Sequence, residues 1–161
     1  SAAIERVQKR TDALLNCGGT HRPEWFHRKL GDILYEGCGV ARDEAELLDA
    51  LTKVRELREE FWRDVKVVGT GNRLNQELEK AGRVADFIEL GEVMILDALD
   101  RRESAGAHFR NEYATEAGEA KRNDDDWCAV SAWETRPDGT KVRHSEPLSF
   151  SLIDLQVRDY R

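Results

Sequence analysis

The sequence predicts a mainly α fold: a three-helix bundle with one extra short helix, followed by a β-hairpin and an extended C-terminal arm. Three observations predict it. Over the first two-thirds of the 161 residues, apolar side chains recur at spacings of three and four, which gathers them on one helix face. Glycine-bearing breaks at Gly18-Gly19, Gly37-Cys38-Gly39 and Gly69-Thr70-Gly71 divide that region into four segments. After Gly106 the period is lost, and from Trp127 a strand-like alternation replaces it.

The first helix carries Ile4, Val7, Thr11 and Leu14 on one face and stops at Asn16-Cys17-Gly18-Gly19, because glycine leaves a helix in the left-handed conformation at least cost. The second begins near Pro23, whose missing N–H is harmless in a first turn, and presents Phe26, Leu30, Ile33 and Leu34. The third opens on a capping box, Asp43 with Glu46 three residues on, and continues as a stripe of Leu47, Leu51, Val54, Leu57, Phe61 and Val65. The fourth is expected from Asn72 to Arg102, roughly 45 Å at 1.5 Å per residue. Its inward positions are Leu74, Leu78, Ala81, Ala85, Ile88, Ile95 and Leu99. Gly82 and Gly91 each cost that helix about 1 kcal/mol, a cost that a close helix contact or a slight bend would explain.

Two long helices joined by a short glycine-containing loop lie antiparallel. With the first helix as third member the bundle is spectrin-repeat-like, the second helix is the extra one, and Phe61 and Leu78 belong to the core. The runs Arg55, Glu56, Glu59, Glu60 and Glu77, Lys80, Arg83 read as solvated faces. Residues 111–126 are polar and acidic without a period and read as a surface loop. Trp127 to Thr135 alternate as a strand, Arg136-Pro137-Asp138-Gly139 is a turn, and the return limb passes Val142 and His144 until Pro147 ends or kinks it. Leu148, Phe150 and Leu152 alternate again in the arm. The expected division is a helical unit at 1–110 and a loop, hairpin and arm at 111–161.

Composition narrows the function classes. The net charge of −7 opposes general affinity for nucleic acid, which needs a basic footprint to displace counterions. No apolar stretch approaches the roughly 20 residues a membrane helix needs, and the N-terminus lacks the apolar segment of a signal peptide, so a soluble chain is expected. Cys17, Cys38 and Cys128 are odd in number and scattered, which points to reduced thiols in the cytosol. Met94 is the only methionine, and Ser1-Ala2-Ala3 runs straight into a helical pattern, as expected of a segment cut from a longer protein.

The candidate chemistry is sparse. Cys17, His21, His27 and Cys38 could be assembled into a zinc set, but their spacings lack the close pairs that fix a tetrahedron. Gly69-Thr70-Gly71-Asn72 leads into a helix as a phosphate loop does, yet no strand precedes it and no Lys-Ser/Thr follows, so it reads as an interhelical turn. No G-x-S-x-G nucleophile motif occurs. The one dense constellation is the run from Arg101 to Arg110, which sets Arg101, Arg102, Glu103, Ser104, His108 and Arg110 around a helix end. Cations are favoured at a helix C-terminus, so a capped end with an ion-pair cluster is one reading and a functional surface the other.

Arg101-Arg102-Glu103-Ser104-Ala105-Gly106-Ala107-His108 resembles the R-x-E-S-R-G-x-H pattern of succinate dehydrogenase and fumarate reductase flavoprotein subunits, and the likeness runs along most of the chain. Phe26-His27-Arg28-Lys29-Leu30-Gly31, Arg55-Glu56-Leu57-Arg58 and Leu74-Asn75-Gln76-Glu77-Leu78-Glu79-Lys80-Ala81 fall in the family's order. Glu116-Ala117-Gly118-Glu119-Ala120-Lys121-Arg122 and Ala132-Trp133-Glu134 are similar to the branch found in Bacteroidetes and actinobacteria. The family's arginine between serine and glycine is Ala105 here, so no role of that arginine carries over.

The resemblance implies a C-terminal helical domain that follows flavin-binding and capping domains, in a subunit that holds FAD and interconverts succinate and fumarate. It also implies partners: those upstream domains, an iron–sulfur subunit and, indirectly, a membrane anchor subunit that passes electrons to menaquinone. The implied location is cytoplasmic, peripheral on the inner face of the cell membrane. The chain itself is expected to bind no cofactor and to be inactive, with no catalytic or metal-binding residue. Arg101, Arg102, Glu103, Ser104, His108 and Arg110 are expected to form an exposed interdomain docking seam, so that Glu103→Gln barely moves the melting temperature of the isolated chain. L-aspartate oxidase, whose usual tail is shorter than the hairpin here, and a free-standing helical interaction module are the alternatives.

Overall fold

Four helices form where the apolar stripes run, and single residues set their ends. The computed structural model describes residues 1–156: α1 (Ala2–Asn16), α2 (Pro23–Gly37), β1 (Ala41–Arg42), α3 (Glu44–Asp64), α4 (Gln76–Asp100), β2 (Phe109–Arg110), α5 (Asp124–Trp127), β3 (Ala129–Thr135) and β4 (Lys141–Pro147). Asp43 caps α3 by accepting the Glu46 N–H at 2.9 Å, as its position predicts. Asn75 caps α4 by accepting the Leu78 N–H at 3.1 Å. This cap starts α4 at Gln76 rather than Asn72 and leaves Leu74 ahead of the helix, 93% exposed instead of inward. Its side-chain amide also ties back to the Val68 and Thr70 carbonyls, so Gly69-Thr70-Gly71 is an interhelical turn.

The core draws Phe26 and Leu30 from α2, Leu47, Val54, Leu57 and Phe61 from α3, and Ala81, Ala85, Ile88 and Ile95 from α4; Leu78 is partly buried against it. The bundle is therefore α2, α3 and α4, and its third member is not the first helix. Only Leu14 of α1 is buried, while Ile4 and Val7 are 69% and 67% exposed. The reason lies in side-chain size and backbone approach. Phe26 meets Phe61 edge-on at 5.2 Å, and Gly91 on α4 has no side chain to hold off Leu30 and Leu34, whose methyls lie 3.2 and 3.3 Å from where its Cβ would sit. α1 offers no comparable pair and lies on α4 through Arg10, which donates to the Gly82 carbonyl and pairs with Asp86.

The α3–α4 contact is antiparallel. Arg58 pairs with Glu89 and Glu92, and Arg55, one turn earlier, pairs with Glu92. Glu92 is buried, which pushes its carboxyl up, yet the two guanidiniums outweigh this and hold it below the usual range.

β1 and β2 form a parallel pair, Ala41 opposite Phe109 and Arg42 opposite Arg110. β3 and β4 form the expected antiparallel hairpin, closed at Gly139 with φ +85° and ending at Pro147. It begins at Ala129, because Trp127 completes the short α5. Lys141–Glu89, Trp133 Nε1–Asp97 and Arg143–Asp100 contacts of 2.7–2.8 Å bind the hairpin along α4. The 111–126 stretch is more ordered than its composition suggests, with a 3-10 turn at Asn111–Tyr113 and an Ala114–Ala120 bridge. Beyond Pro147 the described arm, with Leu148, Phe150 and Leu152, has no strand; the last part of the expected arm, 157–161, lies outside the described residues. No helix among the described residues is long and apolar enough to cross a membrane.

Candidate functional site: the loop after α4

α4 ends at Asp100, and the chain doubles back at once. Ala105 and His108 exchange backbone hydrogen bonds of 2.8 and 3.1 Å across Gly106, whose φ of +59° is the left-handed value that favours glycine. This small turn delivers Phe109 and Arg110 to the edge of β1. Ser104 is fully buried; its hydroxyl accepts the Arg110 N–H at 2.8 Å and donates to the Arg110 carbonyl at 3.1 Å. Arg110, also buried, donates to the Ala98 and Leu99 carbonyls at the end of α4 and pairs with Glu112 at 3.1 Å. Glu103 accepts from the Arg101 guanidinium at 2.6 and 2.9 Å and from the Asn123 N–H at 2.8 Å.

The expected exposed seam is therefore corrected. Glu103, Ser104 and Arg110 are buried and satisfied within the chain, because α4 ends with free carbonyls that Arg110 reaches and because residues 121–123 fold back over Glu103. Of the six residues, Arg102 is exposed and Arg101 and His108 are partly buried. The loop is a clamp that fastens the end of α4 to β1 and to the Lys121–Asn123 segment. Glu103→Gln should accordingly lower the stability of the chain itself by about 1–3 kcal/mol, since it weakens charge-assisted bonds in a buried place. A melting temperature equal to that of the unchanged chain would show that Glu103 is not a clamp.

Three partners of this clamp carry no signal in the sequence: Arg42, Glu112 and Asn123. Arg42 Nη1 donates to His108 Nδ1 at 2.9 Å, and His108 Nε2 donates to the Arg101 carbonyl at 3.1 Å. The ring is thereby defined as a neutral tautomer. Burial, with the Arg42, Arg101 and Arg110 charges nearby, pushes His108 below its ordinary 6.5 against the opposing pull of the Arg101 carbonyl. The sign for stability follows from linkage. Above 6.5 both folded and unfolded chains hold a neutral His108; as the pH falls below 6.5 the unfolded chain takes the proton first, so stability declines until the folded chain is protonated too. Urea midpoints at pH 7.5 and 5.5 should therefore drop more in the unchanged chain than in His108→Gln. An equal drop in both would remove His108 from the pH dependence.

The metal candidates are placed apart in role. The Cys17 thiol donates to the Trp62 carbonyl, His21 pairs with Asp64, His27 lies against the Phe87 ring, and Cys38 is buried in the core. Hydrogen bonds from His21 and Thr20 hold the Asp64 carboxyl at about 2.

The family described as "Fumarate reductase flavoprotein C-term" matches residues 27–160. The succinate dehydrogenase flavoprotein subunit of Bacillus subtilis is 26% identical over 160 residues, which is 99% of this chain and 26% of that protein. The fumarate reductase flavoprotein subunit of Escherichia coli is 32% identical over 113 residues, 68% of this chain and 19% of that protein. A solved E. coli quinol fumarate reductase chain superposes with a TM-score of 0.80 at 25% identity, over 95% of this chain and 25% of that one. Adenylylsulfate reductase of Archaeoglobus fulgidus, at 18% identity and a TM-score of 0.73, shares the fold. The chain thus spans about a quarter of the length of these relatives, and neither L-aspartate oxidase nor a free-standing module is favoured beside them. The match over residues 27–160 and the ordered helices leading to the Arg101–His108 clamp are those of one family: this chain belongs to the C-terminal domain of the succinate dehydrogenase and fumarate reductase flavoproteins.

Proposed function

We propose that this chain is the C-terminal part of an FAD-containing subunit that interconverts succinate and fumarate, and that its own role is structural support and docking. The observation that carries the reading is the family match over 27–160 together with a succinate dehydrogenase flavoprotein subunit aligned along 99% of the chain. The residues present do not fit the flavin. The parallel strands are two residues long, and the glycine turn that begins at Gly69 is filled by its own cap, the Asn75 amide lying 2.8 Å from where a Gly69 Cβ would sit, so it leaves no cradle for a pyrophosphate. Hydride and proton transfer belong, on this reading, to the flavin-carrying part of the subunit.

The partners in the proposal are flavin-binding and capping domains, an iron–sulfur subunit and, through it, a membrane anchor and menaquinone, with the complex on the cytoplasmic face of the membrane. Electron delivery through an iron–sulfur partner suits a peripheral acidic domain whose described helices do not cross a bilayer. Of the sequence-designated docking residues, Arg102 with its exposed side chain stays available to a neighbour, whereas Arg101 is paired with Glu103 and both ring nitrogens of His108 are bonded within the chain. The test compares two proteins. The 161-residue chain should emerge from dialysis without a flavin absorbance band and without turnover, whereas the whole flavoprotein that contains it should oxidise succinate with an artificial electron acceptor. A flavin band retained by the chain alone, or a whole protein inert to both succinate and fumarate, would overturn the proposal.

A further inference from the structure

Among the described residues, one helix face is left without a partner. α2 and α4 run side by side, and between them lies a groove with Leu30, Leu34 and Gly91 as its floor and Phe87, Leu90 and Met94 along its rim. The rim is exposed, Leu90 to 55%, and the His27 ring lies 5.6 Å from that of Phe87. The lining holds no Asp, Glu, Lys or Arg, in contrast to the α3–α4 face with its Arg55, Arg58, Glu89 and Glu92 pairs. Past Met94 a neighbouring recess reaches Val130 on β3, which is likewise exposed, but Asp97 and Arg101 line it as well, so the uncharged surface is confined to the groove itself.

A second, independent observation concerns Gly31 in the middle of α2. A glycine there disfavours the helix by about as much as any residue except proline. Gly91 has a reason within the chain, the approach of Leu30 and Leu34, but a Cβ on Gly31, like one on Gly82 elsewhere on α4, would meet nothing within 4 Å among the described residues. Gly31 lies on the lining of the same groove, and no described residue fills the space beside it.

We propose that the α2–α4 groove is where the flavin-carrying remainder of the flavoprotein packs, with Phe87, Leu90 and Met94 as anchors and Gly31 as the point of closest approach. The inference rests on the functional reading above. The occupant follows from length and chemistry. In the matched Bacillus subtilis and E. coli chains this fold makes up 26% and 25% of a single polypeptide, so a body about three times its size is covalently attached to it. Uncharged, apolar contact surfaces with aromatic and methionine side chains are those of permanent association, whereas transient partners meet on more polar ground. The clamp after α4 offers no such surface, since Glu103, Ser104 and Arg110 are consumed internally.

The test places a benzophenone amino acid at position 90 of the whole flavoprotein, and in a second protein at Leu48 of α3, which is exposed to 49% on another face. After illumination, peptide mapping should join position 90 to peptides of the same subunit outside these 161 residues, and position 48 should give no such product. Cross-links from position 90 to another subunit or to a second copy, no cross-link at all, or equal products from both positions would overturn the proposal. As a second measurement, Leu90→Glu with Met94→Glu should leave the melting temperature of the 161-residue chain unchanged while the yield of soluble, flavin-loaded whole protein falls several-fold; an unchanged yield counts against the groove. The cross-link map does not depend on turnover. A subunit that cross-links as expected but leaves succinate and fumarate untouched defeats the functional reading alone, and an active flavoprotein lacking the position-90 product defeats this one alone.

Discussion

Phe61→Ala is expected to destabilise the chain by about 3–5 kcal/mol, the range for truncating a fully buried aromatic residue. Phe61 has no exposed surface, meets Phe26 edge-on at 5.2 Å and Trp62 at 5.3 Å, and so joins α2 to α3 at the end of the bundle where Val65 leaves the helix. The cavity left behind cannot close cheaply, because Phe26 is held in turn by Trp25 at 4.9 Å. For a domain of this size the loss should appear as a melting temperature lower by on the order of 10 °C. Leu74→Ala, at a residue 93% exposed, is the matched control and should move it hardly at all. Comparable shifts for the two variants would mean that the α2–α3 contact is not the one described.

Arg110→Met should be of similar size, about 3–5 kcal/mol, by a different mechanism. The side chain is almost fully buried, and its guanidinium satisfies two carbonyls at the end of α4 while it neutralises Glu112. Burial pushes the Glu112 carboxyl up, but the bond from Arg110 and the Glu44 N–H hold it below the usual range, so removing Arg110 leaves a carboxylate without its main partner. Arg110→Lys should recover only part of the loss, because an ammonium cannot span both carbonyls and the carboxylate in one plane. Arg102→Met, at the exposed arginine of the same loop, should change the urea midpoint little. If Arg110→Met melts with Arg102→Met, the clamp carries no stability.

The helices were legible because burial imposes a period and the period is local. Asp43 with Glu46 marks the start of α3, and Arg136-Pro137-Asp138-Gly139 closes the hairpin where the turn chemistry puts it. Membership of the bundle was not legible. The stripes of α1 and α2 look alike on paper, and the choice between them depends on Gly91, which admits Leu30 and Leu34 from across the core. The loop after α4 shows a different limit. Glu103 and Arg110 are charged, and charge in a sequence suggests solvent; their burial depends on acceptors and donors at Ala98, Leu99, Glu112 and Asn123, none of which forms a recognisable pattern with them. The β1–β2 pair is two residues long, too short for alternation to declare itself, although it is what brings Arg42 to His108.

The single carboxylate of Glu92 has a consequence for how α3 and α4 find each other. Stripes of leucine, valine, isoleucine and alanine repeat so regularly that sliding one helix past the other by a turn, about 5.4 Å, would still set apolar against apolar. A slip of that size carries Glu92 out of reach of Arg55 or Arg58, now 2.8 and 2.5 Å away, and strands a negative charge where water cannot follow. The greasy contacts are nearly indifferent to the slide, and the ion triad is not. Glu92 thus works as a detent: it adds little to the depth of the native state, yet it removes the neighbouring misalignments in which two long, repetitive helices could otherwise come to rest.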